Sequence, residues 1–191
     1  MLIWFAVRMA ETLGRGAAGE WSVREVLAGY GVMLRDRWAV GYTLASAAIS
    51  SCFFSFIGSI QQIVYDVFKR PELLTLVFAA VAGFMAAGAF LNSRLVMRFG
   101  MRLLSHVALV VTIVLAAVHL AIILSGGANL WVFIVLQAPM MAAMGLCNSN
   151  FSAMAMENMG DVAGTASSLQ GFIAMVGAAV LGAVIGQSFD G

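Results

Sequence analysis

Charge is what this sequence has least of. Asp, Glu, Lys and Arg make up 10% of its 191 residues, against 62% hydrophobic residues. Soluble domains carry about 25% charged residues, because a folded surface in water has to be covered by polar groups. A water-soluble fold is excluded on that ground. The shortage is also uneven. No Asp, Glu, Lys or Arg occurs from Trp38 to Tyr65, Leu73 to Ser93, Leu103 to Met156, or Val162 to Phe189. A crossing helix needs about 20 mostly apolar residues, since each adds about 1.5 Å against a hydrocarbon core of about 30 Å. Each stretch is long enough to cross once, and the one beginning at Leu103 is long enough to cross twice.

Other shortages narrow the chemistry. His106 and His119 are the only histidines, thirteen residues apart on one span and so on different faces. No Ser-His-Asp or Cys-His arrangement can be built, and no Gly-rich phosphate loop follows a strand, so the chain is not expected to be an enzyme. Cys52 and Cys147 lie in apolar runs without metal-ligand spacing and read as two small buried hydrophobes. No metal and no cofactor is expected. With a net charge of +1 and no basic patch interleaved with aromatics, nucleic acid is not a partner. The partner is the lipid bilayer.

Hydropathy and breaking residues divide the chain into five spans, at about 38–65, 73–93, 103–124, 130–154 and 163–187. The fold class is therefore all-α, a polytopic transmembrane helix bundle. Pro71 suits the first turn of the second span, where the N–H it lacks has no partner anyway. The turn cluster Ser125-Gly126-Gly127-Ala128-Asn129 separates the third span from the fourth. Pro139 should kink the fourth. Ahead of the spans, residues 1–10 read as the end of a truncated helix and 11–37 as a polar cytoplasmic loop. Within that loop, residues 21–27 suit a short amphipathic helix on the membrane surface, or equally a solvated connection.

Lys and Arg are held back on the cytoplasmic side of a membrane. Arg8, Arg15, Arg24, Arg35, Arg37, Arg94, Arg98 and Arg102 fall on one side of the five-span topology, and Lys69 and Arg70 on the other. This places 11–37 in the cytoplasm, the C-terminus outside, and the bundle in the plasma (inner) membrane.

Uncharged polar residues inside the spans are the chemistry that is present. In the first span Ser51, Ser55, Ser59, Gln62 and Asp66 recur at steps of three and four, along one helical face. Gln137, Met141, Met144, Asn148 and Ser152 do the same in the fourth. An unpartnered amide in hydrocarbon costs a few kcal/mol, so these stripes face other helices or water. They either tie helices together or line a wet substrate path, in which Met, amide and hydroxyl groups suit varied organic molecules. Ala79, Gly83 and Ala87, and likewise Ala178, Gly182 and Gly186, are spaced for close helix–helix approach. With no acid on its own span, His119 reads as a packing residue.

Four stretches carry a family resemblance. Arg8-Met9-Ala10-Glu11-Thr12-Leu13, Asn92 through Arg102, Asn148-Ser149-Asn150-Phe151 with Ala153-Met154-Ala155-Met156, and Gly164 through Gly171 occur in an order and spacing that agree with the five spans. Together they resemble the second half of a major facilitator superfamily transporter of the Bcr/CflA drug-efflux type. The stretch Asn92, Arg94, Arg98, Gly100 and Arg102 is similar to the superfamily's cytoplasmic loop motif, with Met97 where an acidic residue would fall. The resemblance implies that the spans are helices 7 to 11. It also implies that an N-terminal half and helix 12 are missing, and that the activity is proton-coupled efflux of small organic molecules. Ser55, Ser59, Gln62, Gln137, Met141, Asn148 and Gln170 are the expected cavity lining. Import of a metabolite on the same scaffold, or a fragment that transports nothing, are the alternatives. Such a half on its own is expected to be inactive, because alternating access rocks one half against the other.

Overall fold

The computed structural model describes residues 22–187, and every regular element among them is helical. The resemblance at Arg8 to Leu13 and the expected helix end at 1–10 lie outside the described residues.

The chain enters through α1, Val23–Arg35, which the polar loop of the sequence contains. Of the two readings of that segment, the structure takes the helix, and it runs well past residue 27. Asp36 ends α1 and opens α2, Arg37–Gln62. Its carboxylate accepts hydrogen bonds from the backbone N–H groups of Trp38 (2.8 Å) and Ala39 (3.2 Å), two of the donors that a helix start leaves unpaired. Ile63–Val67 continues α2 as a wider π-helical turn, in which the Phe68 N–H donates to the Ile63 carbonyl at 3.0 Å. Lys69, with φ 53°, turns the chain into the short 3₁₀ turn Pro71–Leu73.

The second long helix after it, α3, runs Leu74–Phe99, past the end expected at 93. Along this extension Arg94 lays its guanidinium group over Phe90 (5.2 Å) and Arg98 over Phe99 (5.3 Å), and the helix stops only at Gly100. Gly100 alone joins α3 to α4, Met101–Leu124. Its φ of 78° and ψ of 158° belong to a region that only glycine occupies without strain. Asn129 caps α5, Leu130–Ala155, by accepting from the Val132 N–H at 3.0 Å, and α5 passes through Pro139 without interruption. The 3₁₀ turn Gly160–Val162 leads into α6, Ala163–Gln187.

Among the described residues, five helices are long and apolar enough to cross a membrane. They are unequal. In the spans built on α2 and α5, 44% of the apolar window is buried, against 11% for α3, 6% for α4 and 11% for α6. The reason is position: α5 packs on α2, α3 and α4, while α2 packs on α5 and α6. At one end Ile60, Val64, Val77, Leu130 and Phe133 form a core layer, and His119 meets Phe133 edge-on at 5.5 Å. Farther along, Met141 and Met144 of α5 pack with Val81 of α3, and Leu146, Cys147 and Phe151 pack with Leu104 and Ala108 of α4. The outward face of α4, with Ile113, Leu120 and Leu124 exposed, is left to lipid.

Two expectations are corrected. Cys52 is exposed on α2, and only Cys147 is buried, its thiol donating to the Ser105 carbonyl at 3.4 Å. The close-packed glycine of α3 is not Gly83, beside which a Cβ would meet nothing within 4 Å, but Gly88, where it would lie 3.1 Å from the Ala142 Cβ. Ala79, Gly83 and Ala87 all point away from the described helices. Spacing alone could not separate two small-residue stripes on one helix, because the rotation of α3 is set by the larger Val77 and Val81.

Candidate functional site

The serine stripe of α2 divides in two. Ser51 and Ser55 are buried, and each hydroxyl donates 2.8 Å to a carbonyl one turn back, that of Ala47 and Ser51 respectively. That back-bonding satisfies the hydroxyl inside its own helix and lets α6 come close. A Cβ on Gly177 would sit 3.3 Å from the Ser51 Oγ, and one on Gly182 3.9 Å from the Ser55 Oγ. The same two helices also form the walls of a groove. Phe54, Ser55, Ser59 and Gln62 from α2 and Met175 and Gly182 from α6 line an open groove of about 580 Å³. No residue that lines the groove is ionisable. Ser59 is half-buried there and Gln62 is exposed.

The stripe of α5 is used differently. Gln137 and Met141 are buried, Met141 in the layer shared with Val81 of α3. Asn148 bridges to α2: its Oδ1 accepts from Ser46 at 2.6 Å and from Ser50 at 3.3 Å. Ser152 donates to the Gln170 Oε1 on α6 at 3.3 Å. The Gln170 Nε2 is buried without a partner, as is the Thr43 Oγ1 on α2. The seven expected lining residues therefore do not form one surface. Ser55, Ser59 and Gln62 share the groove, Asn148 and Gln170 sit in interhelical hydrogen bonds, and Gln137 and Met141 stand in the packed interior.

Asn150 was not among the residues singled out from the sequence, although it lies inside one of the resembling stretches. It is buried and exchanges hydrogen bonds with Asn92 across the α3–α5 contact. Its signal was available: Asn92 and Asn150 are both amides in otherwise apolar helices, and each needs a partner.

The loop motif is spread over one end of the bundle. Arg94, Arg98 and Gly100 are exposed, and Asn92 is half-buried at its pair. Arg102 reaches Glu157, between α5 and α6, at 3.4 Å. With 76% and 50% of the two side chains exposed, this is a solvated contact, worth about 1 kcal/mol at most.

Five membrane-length helices among the described residues, tied together by interhelical amide bonds, define a polytopic membrane protein. Residues 1–182 match the family model of the Major Facilitator Superfamily. The chain belongs to that superfamily, whose members are transmembrane transporters. A Bacillus subtilis (strain 168) protein named as an uncharacterized MFS-type transporter, YdgK, is 23% identical over 189 residues, covering 97% of this chain. The chain spans 46% of that relative's length, about half. No solved structure matches it.

Proposed function

We propose that this chain is the C-terminal half of a proton-coupled exporter of small, amphipathic organic molecules, of the Bcr/CflA type. The observation that carries this reading is the groove between α2 and α6. It combines aromatic and thioether surface with hydroxyl and amide groups and contains no fixed charge, which suits organic molecules of varied shape. On the resemblance, α2 and α6 are helices 7 and 11, which face the centre of the transporter. Ser59 and Gln62 then touch substrate directly. Asn148, Gln170, Gln137 and Met141 hold the helices that carry them. Arg94, Arg98 and Arg102 anchor the cytoplasmic loop that locks one conformation. The arginine-rich end faces the cytoplasm of the inner membrane. The N-terminal half supplies the other wall and the proton-coupling residues.

The test is export of an amphipathic dye from cells that express the complete transporter, with and without a protonophore. Gln62→Leu alters an exposed groove side chain and is expected to lower export severalfold at unchanged protein level. Asn148→Leu is expected to lower export together with protein level. Unaltered export in Gln62→Leu and Ser59→Ala would sink the groove assignment. Export indifferent to the protonophore would sink the coupling.

A further inference from the structure

We infer that α1 is a membrane-surface helix that binds anionic phospholipid headgroups. The first observation is position. The apolar span of α2 begins at Arg37, and α1 ends at Arg35, so the end of α1 is fixed at the hydrocarbon boundary. Two spans set its course. A Cβ on Gly29 would collide with the Thr165 side chain of α6, and the Tyr30 hydroxyl lies 3.4 Å from the Ser168 Oγ. Met33 is buried with Ala39 of α2 and Ala166 of α6. A helix that rests on the first turns of two different spans crosses the end of the bundle and prolongs neither of them.

The second observation is what this packing leaves uncovered. Val23, Leu27 and Leu34 are 73%, 62% and 58% exposed. At about 100° per residue they fall within about 40° of one another, on a different face from Gly29 and Met33. Trp38, at the start of α2, is 58% exposed, at the level where aromatic side chains settle among headgroups. Water is a poor environment for this apolar stripe, and the acyl–headgroup boundary a good one.

The third observation is charge, which selects the lipid. Arg24 and Arg35 share a second exposed face of α1, and Arg37 lies over the Trp38 ring at 5.1 Å. Among the described residues no carboxylate comes within ion-pair distance of these three guanidinium groups. The described acids at this end of the bundle are Glu25; Asp36, whose carboxylate is taken up by the α2 cap and by the Asn158 amide; Glu157, which pairs with Arg102; and Asp161, in the turn beside Val162. Three arginines without a carboxylate at ion-pair distance, Arg37 being the one whose charge also reaches Asp36, stand beside an apolar stripe at the membrane boundary and complement a phosphodiester carrying one negative charge. Two neutral ends, or a solvated loop, would present no such combination.

The test uses the complete chain in vesicles, with Cys52→Ala and a bimane attached through Leu27→Cys. Cys147, 0% exposed, stays in place. Quenching by brominated phosphatidylglycerol and by brominated phosphatidylcholine gives the relative affinity of the two lipids at this position. Phosphatidylglycerol is expected to win, with its preference falling about fivefold for each of Arg24→Gln, Arg35→Gln and Arg37→Gln, and falling again in high salt. A bimane through Ile113→Cys on the lipid face of α4 should show no preference. Its unchanged quenching in the arginine variants would confirm that the bundle is still inserted. Equal quenching by the two lipids at position 27 overturns the inference. So does quenching there by aqueous iodide alone, or shielding from lipid and iodide alike, which would mean that protein covers this face.

Discussion

Asn150 and Asn92 form a reciprocal amide pair across α3 and α5. The Asn150 Nδ2 donates to the Asn92 Oδ1 at 3.0 Å, and the Asn92 Nδ2 returns a bond to the Asn150 Oδ1 at 3.4 Å. Each amide is the other's partner, so removing one leaves the other stranded. Asn150→Leu is expected to cost about 1–2 kcal/mol in detergent, and Asn92→Leu a similar amount. The double variant should cost less than the sum. Additive losses in the thermodynamic cycle would mean that the two amides do not act on each other.

Glycine position separates contact from spacing on α3. Gly88→Val would drive two methyl groups toward Ala142 of α5, and overpacking of this kind costs about 1–3 kcal/mol. Gly83→Val faces no described residue and should leave this chain within about 0.5 kcal/mol of wild type. Thermal unfolding of the two purified variants side by side is the check. Equal losses would contradict the rotation of α3 described above.

Gly100→Ala tests the one-residue turn. A Cβ meets no atom within 4 Å there, so crowding is not the issue. The backbone conformation is, and an L side chain in that region costs about 1–3 kcal/mol. A drop in melting temperature is expected in Gly100→Ala and a similar one in Gly100→Asn, since the left-handed conformation that asparagine tolerates has a ψ of about 30–60°, far from the 158° found here. No drop in either would mean that the turn relaxes freely.

Asp36 gives a pH signature. The backbone N–H of Ala39, then that of Trp38, hold its carboxyl below the usual Asp range, helped by the Asn158 amide and the Arg37 charge. A carboxyl lowered in the folded state contributes stability that is complete above its unfolded pKa of about 3.9, and that is lost as pH falls through the folded value. Wild type should therefore be more stable than Asp36→Ala at pH 7 and at pH 5. The difference should close only below about pH 4. A difference that closes between pH 7 and 5 would point to another group.

The spans were legible because hydrocarbon permits so little. Charge-free runs of the right length, separated by Gly126 and by the arginines near Gly100, leave few other choices. What the sequence does not reveal is which way each helix turns. Ser51, Ser55, Ser59 and Gln62 look alike in one-dimensional spacing. Their fates differ because Gly177 and Gly182 bring α6 against the first two, while Ser59 and Gln62 open onto the groove. Met141 belongs to a stripe that also holds Asn148, yet it stands in an apolar layer between α2 and α3 while Asn148 makes hydrogen bonds to α2. The π turn at Ile63–Val67 has no composition cue, since it depends on how Val64 and Ile60 seat in the layer beneath. The Asn92–Asn150 pair was half visible, as two amides that each needed company without any mark of which company.

The central place of α5 bears on how the protein is made. It is the most amide-rich of the spans, and a helix bearing Gln137, Asn148 and Asn150 is a poor passenger in bare lipid. Membrane helices are handed over in chain order as the ribosome proceeds. When α5 arrives, Ser46 and Ser50 on α2 and Asn92 on α3 have already been delivered, and their side chains can receive it at once. Among the described bonds of α5, the one between Ser152 and Gln170 has to wait for α6.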